Sequence, residues 1–191
     1  SPVPYRIRED KNNTVVDFNI KNVRPGESLE INLSHAALLF GAEYFSRLDV
    51  SGLEQYENPE IVKTFTKPEK GIESDDPRIV NLAKDIIGDE KNPFWKAYKI
   101  YDWITKTIRY NYDEVPSGGA IATLESRVGI CGDFAELYIA LARAAGVPSR
   151  YVALYVPLEK VEGHASVEIY VPKYGWIPVD PTWGDTTGGI D

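Results

Sequence analysis

Cys131 is the only cysteine of 191 residues, and it stands in Arg127-Val128-Gly129-Ile130-Cys131-Gly132-Asp133-Phe134-Ala135, where the residue pattern turns helical. Phe134, Leu137, Tyr138, Leu141, Ala144 and Ala145 then recur at three- and four-residue intervals, Gly146 supplies a stop and Pro148 blocks continuation. The spacing predicts one helix with one buried face and Cys131 in its first turn. Unpaired backbone N–H groups and the positive dipole end gather there and favour a thiolate, the form of cysteine that attacks carbonyl carbon. Gly129 and Gly132 flank the sulfur without covering it, so a substrate carbonyl can approach and a backbone N–H can meet the developing oxyanion. Taken alone, a cysteine at a helix start reads more simply as a small buried hydrophobe.

A thiol nucleophile needs a base, and the base needs an acceptor to fix its ring. His164 and Asp180 supply these roles. Beyond Pro148 the pattern changes from helical to alternating, and it predicts strands over Arg150–Val156, His164–Val171 and Tyr174–Val179, with a turn at Pro172-Lys173-Tyr174-Gly175. In the middle strand Ala165, Val167, Ile169 and Val171 share one face, and His164, Ser166, Glu168 and Tyr170 the other. Across a hairpin with an odd number of loop residues, His164 and Asp180 fall on the same face, directly opposite or diagonal. Glu168 is the competing orienter, while Asp133 reads as a cap on the first helical turn. Tyr110 and Tyr112 alternate out of the preceding helix end and are candidates, with Gly132, to line the cleft or to assist the Cys131 N–H as oxyanion donor.

The elements that must carry these groups follow from the rest of the chain. Ser74-Asp75-Asp76-Pro77 opens a helix through Ile79, Leu82, Ala83, Ile86 and Ile87 to Gly88. Asn92-Pro93 opens a second, whose apolar face takes in Trp95, Tyr98, Ile100, Tyr101, Trp103, Ile104 and Ile108, with the aromatics expected in the core. Residues 49–73 are polar, interrupted by Pro59, Pro68 and Gly71, and read as an extended connector. Before them, Thr14–Ile20 and Ser28–Leu33 alternate around Arg24-Pro25-Gly26-Glu27, predicting a two-stranded antiparallel unit. Apolar residues continue from Ala36 to Phe40, and His35 has a structural or solvent-facing reading. The domain expectation is therefore an N-terminal β segment over 1–48, a connector over 49–73 and a catalytic core over 74–191.

The formal charge of -8 and the lack of a basic cluster exclude the electrostatic footprint of nucleic-acid binding. One cysteine and two histidines distant in sequence give neither a disulfide framework nor a zinc-ligand set, so no metal and no cofactor is expected. No apolar run reaches the ~20 residues of a membrane span. The absence of methionine is read as the mark of a mature product or a piece of something longer, flanked by further domains. An extracellular or cell-surface setting is favoured over a cytoplasmic one.

Four segments together resemble a known family. Leu124-Glu125-Ser126-Arg127-Val128-Gly129-Ile130-Cys131-Gly132-Asp133-Phe134-Ala135, Leu141-Ala142-Arg143-Ala144-Ala145-Gly146-Val147-Pro148-Ser149-Arg150, His164-Ala165 with Glu168-Ile169-Tyr170, and Tyr174-Gly175-Trp176-Ile177-Pro178-Val179-Asp180-Pro181-Thr182 are similar to the transglutaminase-like core of bacteria and archaea. The resemblance covers roughly residues 74 to 184. It implies a papain-like α+β fold, a nucleophile helix packed on an antiparallel sheet, and acyl transfer through a thioester, with Cys131 as nucleophile, His164 as base and Asp180 as orienter. It further implies a protein or peptide substrate, attacked at a peptide bond or a glutamine side chain, with hydrolysis ranked above cross-linking. Ser166 stands where many members carry an aromatic residue, which would open the cleft at that wall. The N-terminal strands look like the end of a β-sandwich that often precedes such cores. The alternative class is a catalytically idle module of a larger surface protein that holds a peptide or cell-wall strand.

Overall fold

The computed structural model describes residues 4–10, 13–21, 23–31, 48–114, 118–157 and 161–183. Strand β1 (Tyr5–Asp10) pairs antiparallel with β2 (Asn13–Phe18), from Tyr5 opposite Phe18 to Asp10 opposite Asn13. Here the structure corrects the sequence reading. The strand expected from Thr14 finds its partner upstream, and Ser28–Ile31 joins no ladder among the described residues. Closing a short connection costs less chain entropy than closing a long one, and the upstream pairing sets Arg8 Nε 2.9 Å from Asp17 and lets Thr14 donate to Glu9 at 2.8 Å. The turn at Arg24–Glu27 does form, with Glu27 N–H donating to Arg24 O at 3.0 Å. Ala36–Phe40 and His35 lie outside the described residues.

These strands belong to the first of two units, Ser1–Ser46; the second is Arg47–Asp191. Residues 49–73, read as a connector, instead hold α1 (Pro59–Phe65) and contribute Leu53 and Ile72 to the core. The Asn58 side chain accepts from Glu60 N–H and Pro59 occupies the first helical position, a start signal strong enough to nucleate a short helix within a polar stretch. Helix α2 (Pro77–Ile87) starts on an Asp76 cap and stops at Gly88, whose φ of 58° suits glycine. Helix α3 (Pro93–Thr107) starts on Asn92. Ala97, Ile100 and Ile104 bury its inner face, but Trp95 and Tyr98 are 43% and 53% exposed. These two rings pack edge-on with each other on the surface, 5.8 Å apart, and so are not the core residues expected.

From α3 the chain enters β3 (Arg109–Tyr110), which pairs in parallel with β4 (Val128–Gly129) after the short helix α4 (Ala120–Ser126). This small ladder fixes the approach to α5 (Cys131–Ala144). Beyond the expected face of Phe134, Leu137, Tyr138 and Leu141, α5 also buries Ala135, Ile139, Ala140 and Ala142. Helices α2, α3 and α4 and the sheet that follows all pack on it, as a helix apolar all round requires. Its end is a Schellman motif: Val147 N–H donates to Ala142 O at 2.8 Å and Gly146 N–H to Arg143 O at 2.9 Å, with Gly146 at φ 78°.

Strands β5 (Ser149–Pro157), β6 (Val161–Val171) and β7 (Gly175–Val179) form an antiparallel sheet in that order. Ala165, Val167, Ile169 and Val171 are buried, as the alternation predicts. The architecture is α+β, the helix that begins at Cys131 packed on an antiparallel sheet.

Candidate active site

Cys131 occupies the first position of α5, after Ile130 in extended conformation. Asp133 reaches back from the third position to accept the Ile130 N–H at 2.9 Å, half of a capping box that sets the helix start. Gly129 makes this possible. A Cβ there would stand 2.5 Å from the Asp133 Cβ, so its smallness serves the cap rather than the expected access of substrate. Gly132 does border open space, as part of a cleft lining in which a Cβ on it would lie 3.5 Å from the Tyr151 hydroxyl.

His164 stands on β6, and its Nε2 lies 2.6 Å from Asp180 Oδ2. The other carboxylate oxygen accepts the Thr182 N–H at 3.1 Å, so the turn after β7 holds Asp180 in place. In the register Val167 faces Val179, which puts Asp180 diagonal to His164 rather than directly opposite. Trp183 adds an edge-on contact to the imidazole at 6.3 Å between centroids, with its indole N–H 3.3 Å from the same Nε2. Glu168, the alternative orienter, is committed elsewhere: it forms a 2.6 Å ion pair with its cross-strand partner Arg150.

Cys131 and His164 line one open cleft of about 340 Å³ with Ile130, Gly132, Tyr151, Ala153, Leu154, Gly163 and Ala165. Three sequence-predicted residues, Cys131, His164 and Gly132, thus meet there, with Asp180 behind the imidazole. Tyr110 and Tyr112 are not among the lining residues. Tyr110 packs its ring against Tyr112 and Phe134 at 5.3 and 6.0 Å, and Tyr112 is two-thirds exposed. Nor does Ser166 open a wall: it is buried and donates to Val179 O at 3.0 Å, pinning β7 to β6.

Tyr151 and Trp183 are the contributors that sequence reasoning missed. Tyr151 shares strand parity with Ala153, a signal that places it on one face of β5 but not beside Cys131. Burial, and then the charges of Cys131, Glu136 and Asp133, raise its phenol above the ordinary range. Among the described residues no group of three or more His, Cys, Asp or Glu side chains is arranged to hold a metal ion.

A thiol at a helix N-terminus, an imidazole lining the same cleft and a carboxylate behind the imidazole are the parts that thiol-dependent acyl transfer uses. The chain belongs to the Transglutaminase-like superfamily, whose sequence profile matches residues 80–181. Among solved structures, a Cytophaga hutchinsonii protein proposed to be a cysteine protease is 33% identical, with a TM-score of 0.60 over 68% of this chain and 46% of that one. The periplasmic domain of TgpA from Pseudomonas aeruginosa is 25% identical, with a TM-score of 0.56 over 66% of this chain and 48% of that one. The papain-like reading of the fold accords with both. Among curated relatives, a protein-glutamine gamma-glutamyltransferase of Pseudomonas aeruginosa is 34% identical over 31% of this chain and 10% of its own length. The chain spans only 18%, 33% and 10% of the curated relatives it matches. Among the described residues no helix is long and apolar enough to cross a membrane.

Proposed function

We propose that this domain catalyses cysteine-dependent acyl transfer on amide bonds of a protein or peptide, hydrolysis ahead of cross-linking, with Cys131, His164 and Asp180 as its triad. The observation that carries the proposal is the shared cleft of Cys131 and His164 together with the 2.6 Å contact from His164 to Asp180. In the reaction so read, Cys131 sulfur attacks the carbonyl carbon and the C=O π pair moves to oxygen. Collapse breaks the C–N bond, and the leaving nitrogen takes a proton from His164. Water, deprotonated by the same imidazole, then releases the acid from the thioester. An amine in place of water gives cross-linking instead. The name of the Cytophaga structure supports hydrolysis and that of the glutamyltransferase supports transfer to an amine; the first covers 68% of this chain and the second 31%, which weights the reading towards hydrolysis. The TgpA neighbour, a periplasmic domain, supports an extracellular or cell-surface setting.

The test is alkylation of Cys131 by iodoacetamide at pH 6, followed by mass spectrometry. Wild type should react at least ~10-fold faster than free cysteine, which is mostly thiol at that pH, and His164→Ala should remove the advantage. Labelling no faster than free cysteine would move the domain to the idle binding-module class.

A further inference from the structure

We propose that Tyr151 is a further catalytic residue of this site, its hydroxyl donating a hydrogen bond to the oxyanion formed when Cys131 attacks a carbonyl. The inference rests on the acyl-transfer reading and deepens it.

Three observations carry it. First, Tyr151 sits opposite Val167 in the β5–β6 register. Directly paired residues project to the same face, and Val167 is fully buried in the core that includes α5, so Tyr151 rises from the helix-facing side of the sheet. Second, its hydroxyl lies 3.5 Å from where a Gly132 Cβ would stand, one residue past the nucleophile, and the ring lines the same cleft as Cys131 and His164. Third, no described residue accepts a hydrogen bond from this hydroxyl. Tyr110 and Tyr112, the tyrosines singled out by sequence, are packed on each other instead.

The chemistry suits the place. A backbone N–H at a helix start supplies one donor to a tetrahedral oxyanion, and a second preorganised donor strengthens it in a partly desolvated site. Burial and the charges of Cys131, Glu136 and Asp133 hold the phenol above its ordinary range, so at neutral pH the O–H keeps its proton. As sulfur bonds to carbon and the π pair moves to oxygen, Tyr151 keeps its proton and only shares it; when the oxyanion collapses, the hydrogen bond relaxes and the leaving group departs.

Two reactions of the same sulfur separate this role from a structural one. Acylation by p-nitrophenyl acetate passes through an oxyanion, with p-nitrophenolate leaving, whereas alkylation by iodoacetamide displaces iodide at a saturated carbon and forms none. Both would be followed on wild type and Tyr151→Phe, with Cys131→Ala subtracting acylation elsewhere and circular dichroism verifying the fold. Loss of one oxyanion donor should slow acylation by roughly 100- to 1,000-fold while alkylation stays within about twofold. Equal slowing of both reactions, or unchanged acylation, overturns the assignment of Tyr151. A wild type that neither acylates nor alkylates faster than free cysteine overturns the nucleophile itself, and the Tyr151 role with it.

Discussion

His164 Nε2 lies 2.6 Å from Asp180 Oδ2 although Asp180 stands one residue beyond the end of β7. The contact therefore depends on the turn that follows the strand, where Thr182 N–H holds the second carboxylate oxygen, and on Ser166, which ties the last strand residue back to β6.

Asp180→Asn keeps the shape but replaces an acceptor with an amide that can turn its N–H₂ towards the ring. Acylation of Cys131 should fall by roughly two to four orders of magnitude, in line with the loss of an orienting carboxylate in a Ser-His-Asp site. Glu168→Gln should leave that rate within about twofold, because its carboxylate is committed to Arg150 in a half-buried ion pair and not to His164. The stopped-flow rates of the two variants decide between the carboxylates, and equal loss in both would return Glu168 to the role.

Gly129→Ala and Gly132→Ala should differ sharply. At 129 the added methyl meets Asp133 Cβ at 2.5 Å, which forces the capping residue aside; a loss of about 1–3 kcal/mol in urea unfolding is expected, with slower alkylation of Cys131 as the first turn shifts. At 132 the methyl finds only the Tyr151 hydroxyl at 3.5 Å, an ordinary contact, and stability should stay within about 0.5 kcal/mol plus the gain from a less flexible unfolded chain.

Arg143 is buried near the end of α5 and donates from Nε and Nη2 to Ser149 O at 3.1 and 3.0 Å and from Nη1 to Lys67 O at 2.6 Å. It ties the start of β5 and the segment after α1 to the central helix. Arg143→Met keeps the stem but strands both carbonyls, and denaturant unfolding should show a loss of about 3 kcal/mol. A change under about 0.5 kcal/mol would mean that water replaces the guanidinium.

Glu136 gives a pH signature. Burial raises its carboxyl above the ordinary range, opposed by the hydrogen bond from Gly119 N–H and reinforced by the charges of Asp133 and Glu73. The folded state then binds this proton more tightly than the unfolded state. Its contribution is fully favourable in acid, below the unfolded value, and is lost as pH rises towards and through the folded one. Glu136→Gln, which can still accept the Gly119 N–H, should raise stability at pH 7 by about 0.5 kcal/mol, a figure reduced for the group's partial solvent exposure, and change little at pH 3.5. Thermal melts at the two pH values check the sign; a destabilised variant at pH 7 would contradict it.

The helix that begins at Cys131 was legible because its signals are contiguous. Its period, its glycine stop and the Asp133 cap all lie within sixteen residues of Cys131, and local periodicity and capping act over that range. The meeting of His164 with Asp180 was legible for a related reason: a three-residue turn fixes hairpin parity, and parity fixes which side chains share a face. The starts of α2 and α3 were written in Asp76-Pro77 and Asn92-Pro93 in the same way.

Contacts between distant segments were not written so. Which strand passes beneath the first turn of α5 depends on how helices and sheet share one core, and that alone brought Tyr151 beside Gly132 and kept Tyr110 and Tyr112 away. Arg150 took Glu168 from His164 through a cross-strand pairing, and Trp95 and Tyr98 faced solvent because α3 turns Ala97, Ile100 and Ile104 to the core instead. The N-terminal partner of β2 was settled by competition between two alternating segments, where the shorter closure and the Arg8–Asp17 and Thr14–Glu9 contacts prevailed. Residue patterning thus picked out Cys131 and the pairing of His164 with Asp180, whereas packing chose the opposite wall of the cleft, because that wall is assembled from side chains whose proximity no local interaction specifies.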